Sequence, residues 1–319
     1  GAGEVIVEFE NFTPSNTVGI FHPDGELTRS TPTTLSVGRY CLAGASVGDY
    51  ALFAGSSIYE DTVDAYDASL VRSTPTALSV GRGYFAGASV GDYALFAGGH
   101  GFSPDYYKDT VDAYDTSLVR FTPTALSVGR ERLAGASVGN YVLFAGGQNG
   151  FREYRDTVDA YDTSLVHSTP TALSADRSDL TGASVGNYAL FAGGSGSASP
   201  YSDVVDAYDT SLVRSTPTAL SIGASDYVGA SVGNYALFAG GYNGKCSNVN
   251  AYDTSLVRST PTALSVARFG SAGASVGNYA LFAGGYGYDI GSSVNTVDAY
   301  DTSLTQSTPT ALSVARYWL

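Results

Sequence analysis

The sequence predicts an all-β protein folded as a closed ring of repeated four-stranded sheets, and three observations carry that prediction. The phrase Gly-Ala-Ser-Val-Gly occurs six times, beginning at Gly44, Gly87, Gly135, Gly182, Gly229 and Gly273, at spacings of 43, 48, 47, 47 and 44 residues. Self-similarity at this period marks an array of like units that bury a core only against their neighbours. Within each unit, four short runs of strand character are separated by Gly, Asp, Asn and Ser turn signals. With 44% hydrophobic residues and 39 glycines in 319, the composition suits a turn-rich β protein and not a disordered chain.

The four runs are strands a to d in chain order. Strand a is the small-residue run Ala43-Gly-Ala-Ser-Val47, and small residues belong where units crowd around an axis. Strand b is Tyr50-Ala-Leu-Phe-Ala54, strand c is Thr62-Val-Asp-Ala-Tyr66, and strand d lies within Leu70 to Leu78. The a–b and c–d links are short, as antiparallel hairpins require. Every strand d carries a proline (Pro32, Pro75, Pro123, Pro170, Pro217, Pro261, Pro309), which cannot donate to a ladder and belongs at an edge. So strand a is the hub, strand d is the rim, and the expected architecture is a β-propeller.

The order of an arginine, strand a, an apolar strand ending in Gly-Gly, a Tyr-Asp doublet and an outer strand resembles the kelch repeat. The glycine pairs are Gly98-Gly99, Gly146-Gly147, Gly193-Gly194, Gly240-Gly241 and Gly284-Gly285. The doublets are Tyr66-Asp67, Tyr114-Asp115, Tyr161-Asp162, Tyr208-Asp209, Tyr252-Asp253 and Tyr300-Asp301. The resemblance covers residues 39–316. It departs at Gly55-Ser56 and in lacking an outer-strand tryptophan, whose space Leu70, Val71 and their equivalents are expected to fill.

Strands a and b recur six times but strand d seven times, the extra copy being Ser30 to Ser36. Before it, Thr17-Val-Gly-Ile-Phe21 reads as a degraded strand c and Glu4-Val-Ile-Val-Glu8 as strand b. The C-terminal Ala315-Arg-Tyr-Trp-Leu319 aligns with Gly38-Arg-Tyr-Cys-Leu42, the approach to strand a. The expectation is one propeller domain over 1–319 with seven blades, the closing blade drawn from 1–36 and 316–319. Such sharing removes exposed edges. Six blades is the alternative, with residues 1–16 an appendage.

In such blades the d–a and b–c connections share one end. The a–b and c–d links at the other end are nearly invariant, whereas the d–a triplets Tyr40-Cys41-Leu42, Gly83-Tyr84-Phe85, Glu131-Arg132-Leu133, Ser178-Asp179-Leu180, Ser225-Asp226-Tyr227 and Phe269-Gly270-Ser271 all differ. The b–c loops vary in length and sequence too. Unconstrained drift explains variable loops, but it should affect both ends. The Tyr, Gly, Ser, Asn and Arg content of the varied positions is the mixture of antibody-type binding loops. The expected partner-binding residues are Tyr84, Phe85, Phe102, Tyr106, Tyr107, Phe151, Tyr154, Tyr227, Tyr242, Tyr286 and Tyr288, with Arg132 and Arg152 as charged contacts.

Other chemistries find less support. Some kelch-type propellers are copper oxidases with a tyrosine–cysteine cross-link and histidine ligands, but the only histidines here are His22, His100 and His167, too scattered for a copper site. Cys41 and Cys246 fall in distant blades and are expected to be free thiols. Asp61, Asp64 and Asp67 alternate across strand c and do not converge for calcium. Arg39, Arg82, Arg130, Arg177, Arg268 and Arg316 either ring the channel mouth for acidic ligands or pair with nearby aspartates. The fifth repeat has Ala224 in that place. No catalytic cluster of polar or titratable residues is visible over the hub.

A net charge of −14 repels nucleic acid and anionic lipid, and no apolar run approaches the roughly 20 residues of a membrane span. The sequence therefore points to a non-catalytic, cofactor-free and metal-free recognition module for a protein or glycan surface. It reads as a monomeric domain of a larger protein, secreted or on a cell or virion surface. The alternatives are an enzyme with a small-molecule site in the central channel and an architectural spacer.

Overall fold

The computed structural model describes residues 5–7, 18–22, 27–244 and 246–317. Six four-stranded antiparallel sheets follow one another in a ring, each in the order a-b-c-d. In the first blade the strands are Ala43–Val47, Tyr50–Ala54, Val63–Tyr66 and Arg72–Ser73. The register places Ala45 opposite Leu52 and Leu52 opposite Ala65, so strands b and c, each flanked on both sides, form the buried interior of the sheet. A three-stranded sheet of Val5–Val7, Val18–His22 and Thr28–Ser30 supplies strands b, c and d of a seventh blade.

This sheet closes the ring from both sides. Its Val5–Val7 strand lies beside strand a of the sixth blade, Ala272–Val276, and Leu27 joins that blade's core. On the other side Leu35 packs on Phe53 and Tyr66 of the first blade. The fold is a seven-bladed β-propeller. The expected contribution of Trp318 and Leu319 to the seventh strand a lies outside the described residues, as do Glu4, Glu8 and Thr17.

Crowding at the hub accounts for the small residues of strand a. A Cβ on Gly182 would stand 2.3 Å from the carbonyl oxygen of Gly135 in the preceding blade, and one on Gly229 2.4 Å from that of Gly182. The strand-a serines link the blades further: the Ser137 hydroxyl donates to Ser89 O at 2.5 Å, and Ser184 to Ser137 O at 2.7 Å. Further out, each strand-c tyrosine crosses to the preceding blade, with Tyr114 donating to Thr76 O and Tyr66 to Thr33 O.

Strand d falls within the expected Leu70 to Leu78 and is only two residues long in the first six blades. The proline ends the ladder, and the segment beyond it runs to the next blade, where the tyrosine hydroxyl takes the threonine carbonyl that the ladder leaves free. The expected filling of the tryptophan space also needs correcting. Leu70, Leu118 and Leu165 pack on the core clusters, while Val71, Val119 and Val166 point outward at 61%, 51% and 61% exposure.

The recurrent arginines are structural and do not face the channel. Arg39, Arg82, Arg130, Arg177 and Arg268 are fully buried and paired at 2.6–2.8 Å with Asp64, Asp112, Asp159, Asp206 and Asp298 of strand c. Burial pulls their guanidinium pKa values down, and the paired aspartates oppose it. Each aspartate also accepts the backbone N–H of a serine in the preceding blade's d–a segment, as Asp112 does from Ser79 and Asp159 from Ser127. His167, incidental in sequence, bonds Asp159 at 2.7 Å in the place where Arg72 and Arg214 bond Asp64 and Asp206.

The fifth blade replaces this charged unit with a neutral one. Ala224 stands for the arginine, Asn250 for the aspartate, and Tyr227 for the leucine or phenylalanine found in the second to fourth blades. The Tyr227 hydroxyl donates to Ile222 O at 2.8 Å, the same carbonyl position that Arg82 and Arg130 bond at Val80 and Val128. Asn250 Oδ1 keeps the serine N–H, from Ser221, at 2.9 Å.

The exchange is concerted, so its pieces should not be separable. Arg177→Ala alone leaves the buried Asp206 with only the half-buried Arg214 as its cationic partner and is expected to cost about 3 kcal/mol. The triple variant Arg177→Ala, Leu180→Tyr, Asp206→Asn should recover most of that loss in urea denaturation. A triple variant no more stable than the single one refutes the exchange.

Candidate functional site at the channel mouth

The variable loops form one continuous surface because they pair with each other. In the second to fifth blades the first residue of the d–a triplet bridges antiparallel to the b–c loop of its own blade: Gly83 with His100, Glu131 with Gln148, Ser178 with Ser195, Ser225 with Tyr242. In the sixth blade the bridge grows into a small sheet of Arg268–Phe269, Tyr286–Gly287 and Ser292–Ser293.

The second triplet residue adopts a left-handed backbone in every described copy, with φ of 54° at Cys41, 56° at Tyr84, 57° at Arg132, 52° at Asp179, 51° at Asp226 and 60° at Gly270. That conformation costs a non-glycine residue energy and persists only where surroundings enforce it. The enforcement is a chain of backbone bonds from blade to blade. Arg132 N donates to Tyr84 O at 2.8 Å, Asp179 N to Arg132 O at 3.1 Å, and Asp226 N to Asp179 O at 3.0 Å. These residues encircle a mouth cavity of about 270 Å³ above a channel of about 470 Å³ lined by the Gly, Ala and Ser of strand a.

The sequence reading found no polar cluster over the hub, and the structure overturns that. Arg132 Nη1 bonds Asp179 Oδ1 at 2.8 Å, and the same guanidinium lies over the Tyr84 ring, 5.1 Å from its centre. Asp179 Oδ2 accepts from the Ser178 hydroxyl at 2.8 Å, and Asp226 Oδ2 from that of Ser225 at 3.0 Å. Burial, with the neighbouring Asp179 charge, pushes the Asp226 carboxyl well above the usual range, to about 7. Burial also raises the Cys41 thiol to about 11, which leaves it protonated at neutral pH. Cys41, Asp179 and Asp226 were not among the sequence candidates. They are the middle residues of triplets whose left-handed backbone only the structure reveals.

The third triplet residue turns into the core. Phe85 and Tyr227, expected at a binding surface, are only 7% and 4% exposed, and both pack in blade cores. They contribute no more than the wall of the mouth. The remaining candidates lie on the face as expected. Phe102, Tyr106, Phe151 and Tyr242 are exposed by 66%, 50%, 89% and 43%. Arg152 lies over Phe151, and Tyr154 meets Ser195 Oγ of the next blade at 3.3 Å.

Two aromatic groups flank the mouth. His100 stacks on Tyr106 and meets Tyr59 and Tyr107 edge-on or tilted, with Phe102 against Tyr59. On the opposite arc Tyr242, Phe269 and Tyr288 touch mutually, and Tyr286 joins Phe269 to Tyr317. Tyr59, Phe269 and Tyr317 were not anticipated. Both cysteines are free, Cys246 being buried with its thiol donating to Asn243 O. Among the described residues no group of three or more His, Cys, Asp and Glu side chains is arranged to hold a metal ion.

The frozen face has its own physical cause. Asp67 Oδ1 accepts the N–H groups of both Ser69 and Val71, fixing the c–d turn. The a–b turn glycine, Gly48 at φ +55°, sits against Thr116 in the next blade's c–d turn, and Gly91 repeats this with Thr163. Invariance there follows from interlocked turns.

No family model matches the sequence, and no curated protein matches it either. Among solved structures the chain resembles that of YjhT, with a TM-score of 0.68 and 13% identity over 85% of this chain and 97% of that one. At that identity the likeness concerns the fold.

The raised Asp226 pKa has a stability consequence. Because the folded value lies above the unfolded one, the folded state holds the extra proton below about pH 7, and stability falls as pH rises through that value. Asp226→Asn removes the titration. Its melting temperature should match wild type near about pH 4 and exceed it near about pH 8. A pH-independent difference counts against the assignment.

Proposed function

We propose that this propeller is a non-catalytic recognition module, of kelch type, that binds a protein or glycan partner through the face bearing the d–a and b–c loops. The observation that carries the proposal is a set of solvent-facing aromatic side chains, led by Phe151 at 89% exposure, around a concave polar mouth. Bare aromatic side chains at loop tips bring no stability to the fold, whereas at an interface they are the residue types that dominate binding. The polar mouth favours the glycan end of that range, since carboxylates, hydroxyls and a guanidinium there match sugar hydroxyls and aromatic rings match their apolar faces. Near-identical blades under a diversified face suit adhesion or receptor binding at a cell or virion surface.

The second reading is an enzyme with a small-molecule site at the mouth. It is favoured by Asp226, whose raised pKa next to Asp179 and Arg132 is suited to proton transfer near neutrality.

Glycan arrays and protein-ligand screens with the full chain will supply a partner for the deciding comparison. Alanine at Phe102, Tyr106, Phe151 or Tyr242 should weaken binding by about 2 kcal/mol at the best of these positions and leave melting unchanged. Tyr114→Phe, which removes the bond to Thr76, should cost about 1 kcal/mol of stability and leave binding intact. Normal binding by the loop variants, with loss on placing a charge at Val119 on the opposite face, inverts the assignment.

A further inference from the structure

We propose that the hub side of the seventh blade is a strand-addition site, which takes an extended segment of Gly, Ala and Ser type from a separate polypeptide. The site is made by strands a and b and not by the variable loops, so it stands apart from the partner proposed for that face.

The seventh sheet begins, among the described residues, at strand b. Val5–Val7 pairs with Val18–His22 on one side, and its other edge pairs with no described strand. An edge of this kind presents N–H and C=O groups that template an added strand. In the other blades strand a takes that edge, as Ala43–Val47 does beside Tyr50–Ala54 in the first.

The flanking blades show that the place beside it is open. A Cβ on Gly87, Gly182, Gly229 or Gly273 would stand 2.3–2.4 Å from the glycine carbonyl oxygen of the preceding strand a. One on Gly44 would meet nothing nearer than the Phe53 ring of its own blade, at 3.6 Å. Gly44 and Gly273, which border the seventh blade, are exposed, whereas the four equivalent glycines between them are half-buried. Ala51 of the first strand b is half-buried too, where its five counterparts are fully buried. The channel cavity of about 470 Å³ reaches Ala51, Leu52 and Phe53, and among the described residues no other strand b lines it. The Ser89, Ser137, Ser184 and Ser231 hydroxyls each donate to the preceding strand-a serine carbonyl. Ser46 has no such carbonyl among the described residues.

These walls specify the occupant. Its glycine would lie against Gly273 O as Gly87 lies against Gly44 O, so no larger residue fits there. Its own glycine carbonyl would lie against Gly44, and its serine carbonyl would receive the Ser46 hydroxyl. The added strand continues the strand-to-strand contacts of the hub from the sixth blade to the first and covers the open edge. All six Gly-Ala-Ser-Val segments of this sequence already serve as strand a of their own blades, so the strand is one brought by another chain.

The test titrates the 319-residue chain calorimetrically with the end-capped peptide Leu-Ala-Gly-Ala-Ser-Val-Gly-Asp, the sequence of residues 42–49. The control is the same peptide with valine for its first glycine. The first peptide should bind about tenfold or more tightly than the control, raise the melting temperature and slow hydrogen exchange at the Val5–Val7 amides. Gly44→Ala separates the site from the fold. In the free chain its Cβ has ordinary room, so the variant should melt like wild type, yet its peptide affinity should fall about tenfold or more because that Cβ meets the peptide carbonyl. Gly182→Ala, at a filled position, should instead lower the melting temperature of the free chain and leave peptide affinity unchanged.

Equal binding of the two peptides overturns the proposal, as does failure of the first to bind at millimolar concentration. Normal peptide binding by Gly44→Ala overturns it too. So does a Gly44→Ala chain as destabilised as Gly182→Ala, because the chain itself then fills the place.

Discussion

The strand-c aspartate is the point on which the rest of the structure depends. Asp64, Asp112, Asp159, Asp206 and Asp298 each sit fully buried and hold three things at once. They pair with the arginine leading into strand a and with a polar side chain of strand d, and they accept a serine N–H from the blade before. A buried charge pair brings little net stability, but losing one member is expensive, so the pair enforces a single arrangement. Here that arrangement spans two blades. It fixes where each d–a segment leaves one blade and enters the next, and therefore where every mouth residue lies.

That anchoring explains why side chains at the mouth are free to differ. In the second to fifth blades each triplet is held at its first residue by a bridge to the b–c loop, at its second by a backbone bond to the neighbouring blade, and at its third by packing in the core. Only the second carries its side chain into the mouth, and its position depends on main-chain atoms alone. Cys41, Tyr84, Arg132, Asp179, Asp226 and Gly270 can therefore occupy equivalent places without disturbing the ring. The opposite face is built the other way, with Asp67-type turns and Gly48–Thr116 contacts that need particular side chains. One end can diversify and the other cannot, so the contrast between the faces begins as a difference in what holds each of them.

Much of the architecture was legible in the sequence. The repeat gave the blades, the small residues of strand a located the hub, and the surplus strand d pointed to closure through the N-terminus. What escaped was information that lies in φ and in direction. A left-handed turn announces itself when glycine occupies it, and only Gly270 does so among the mouth residues, so Asp179 and Asp226 read as ordinary loop positions. Phe85 and Tyr227 read as surface aromatics because the triplets vary, yet variation at their position reflects repacking inside the blade. The arginines were ambiguous for a related reason: a cation beside variable loops looks like a ligand contact until its burial is seen. The Ala224 and Asn250 exchanges were both visible as letters, but only the shared carbonyl position joined them to Tyr227.

The charge distribution also follows from this division. The strand-c carboxylates are neutralised internally, so they add nothing to the field at the surface. Asp67, Asp115, Asp162, Asp209, Asp253 and Asp301 instead cap turns on the frozen face and are half-buried there. The same end carries the row of outward valines beginning with Val71, an apolar surface that would otherwise invite association between copies. Each valine's own N–H is bonded by one of these aspartates, so apolar side chain and charge are fixed side by side. A carboxylate fixed beside each valine discourages association between copies at this end, and the proposed partner therefore meets the loop-bearing end, with its aromatic tips.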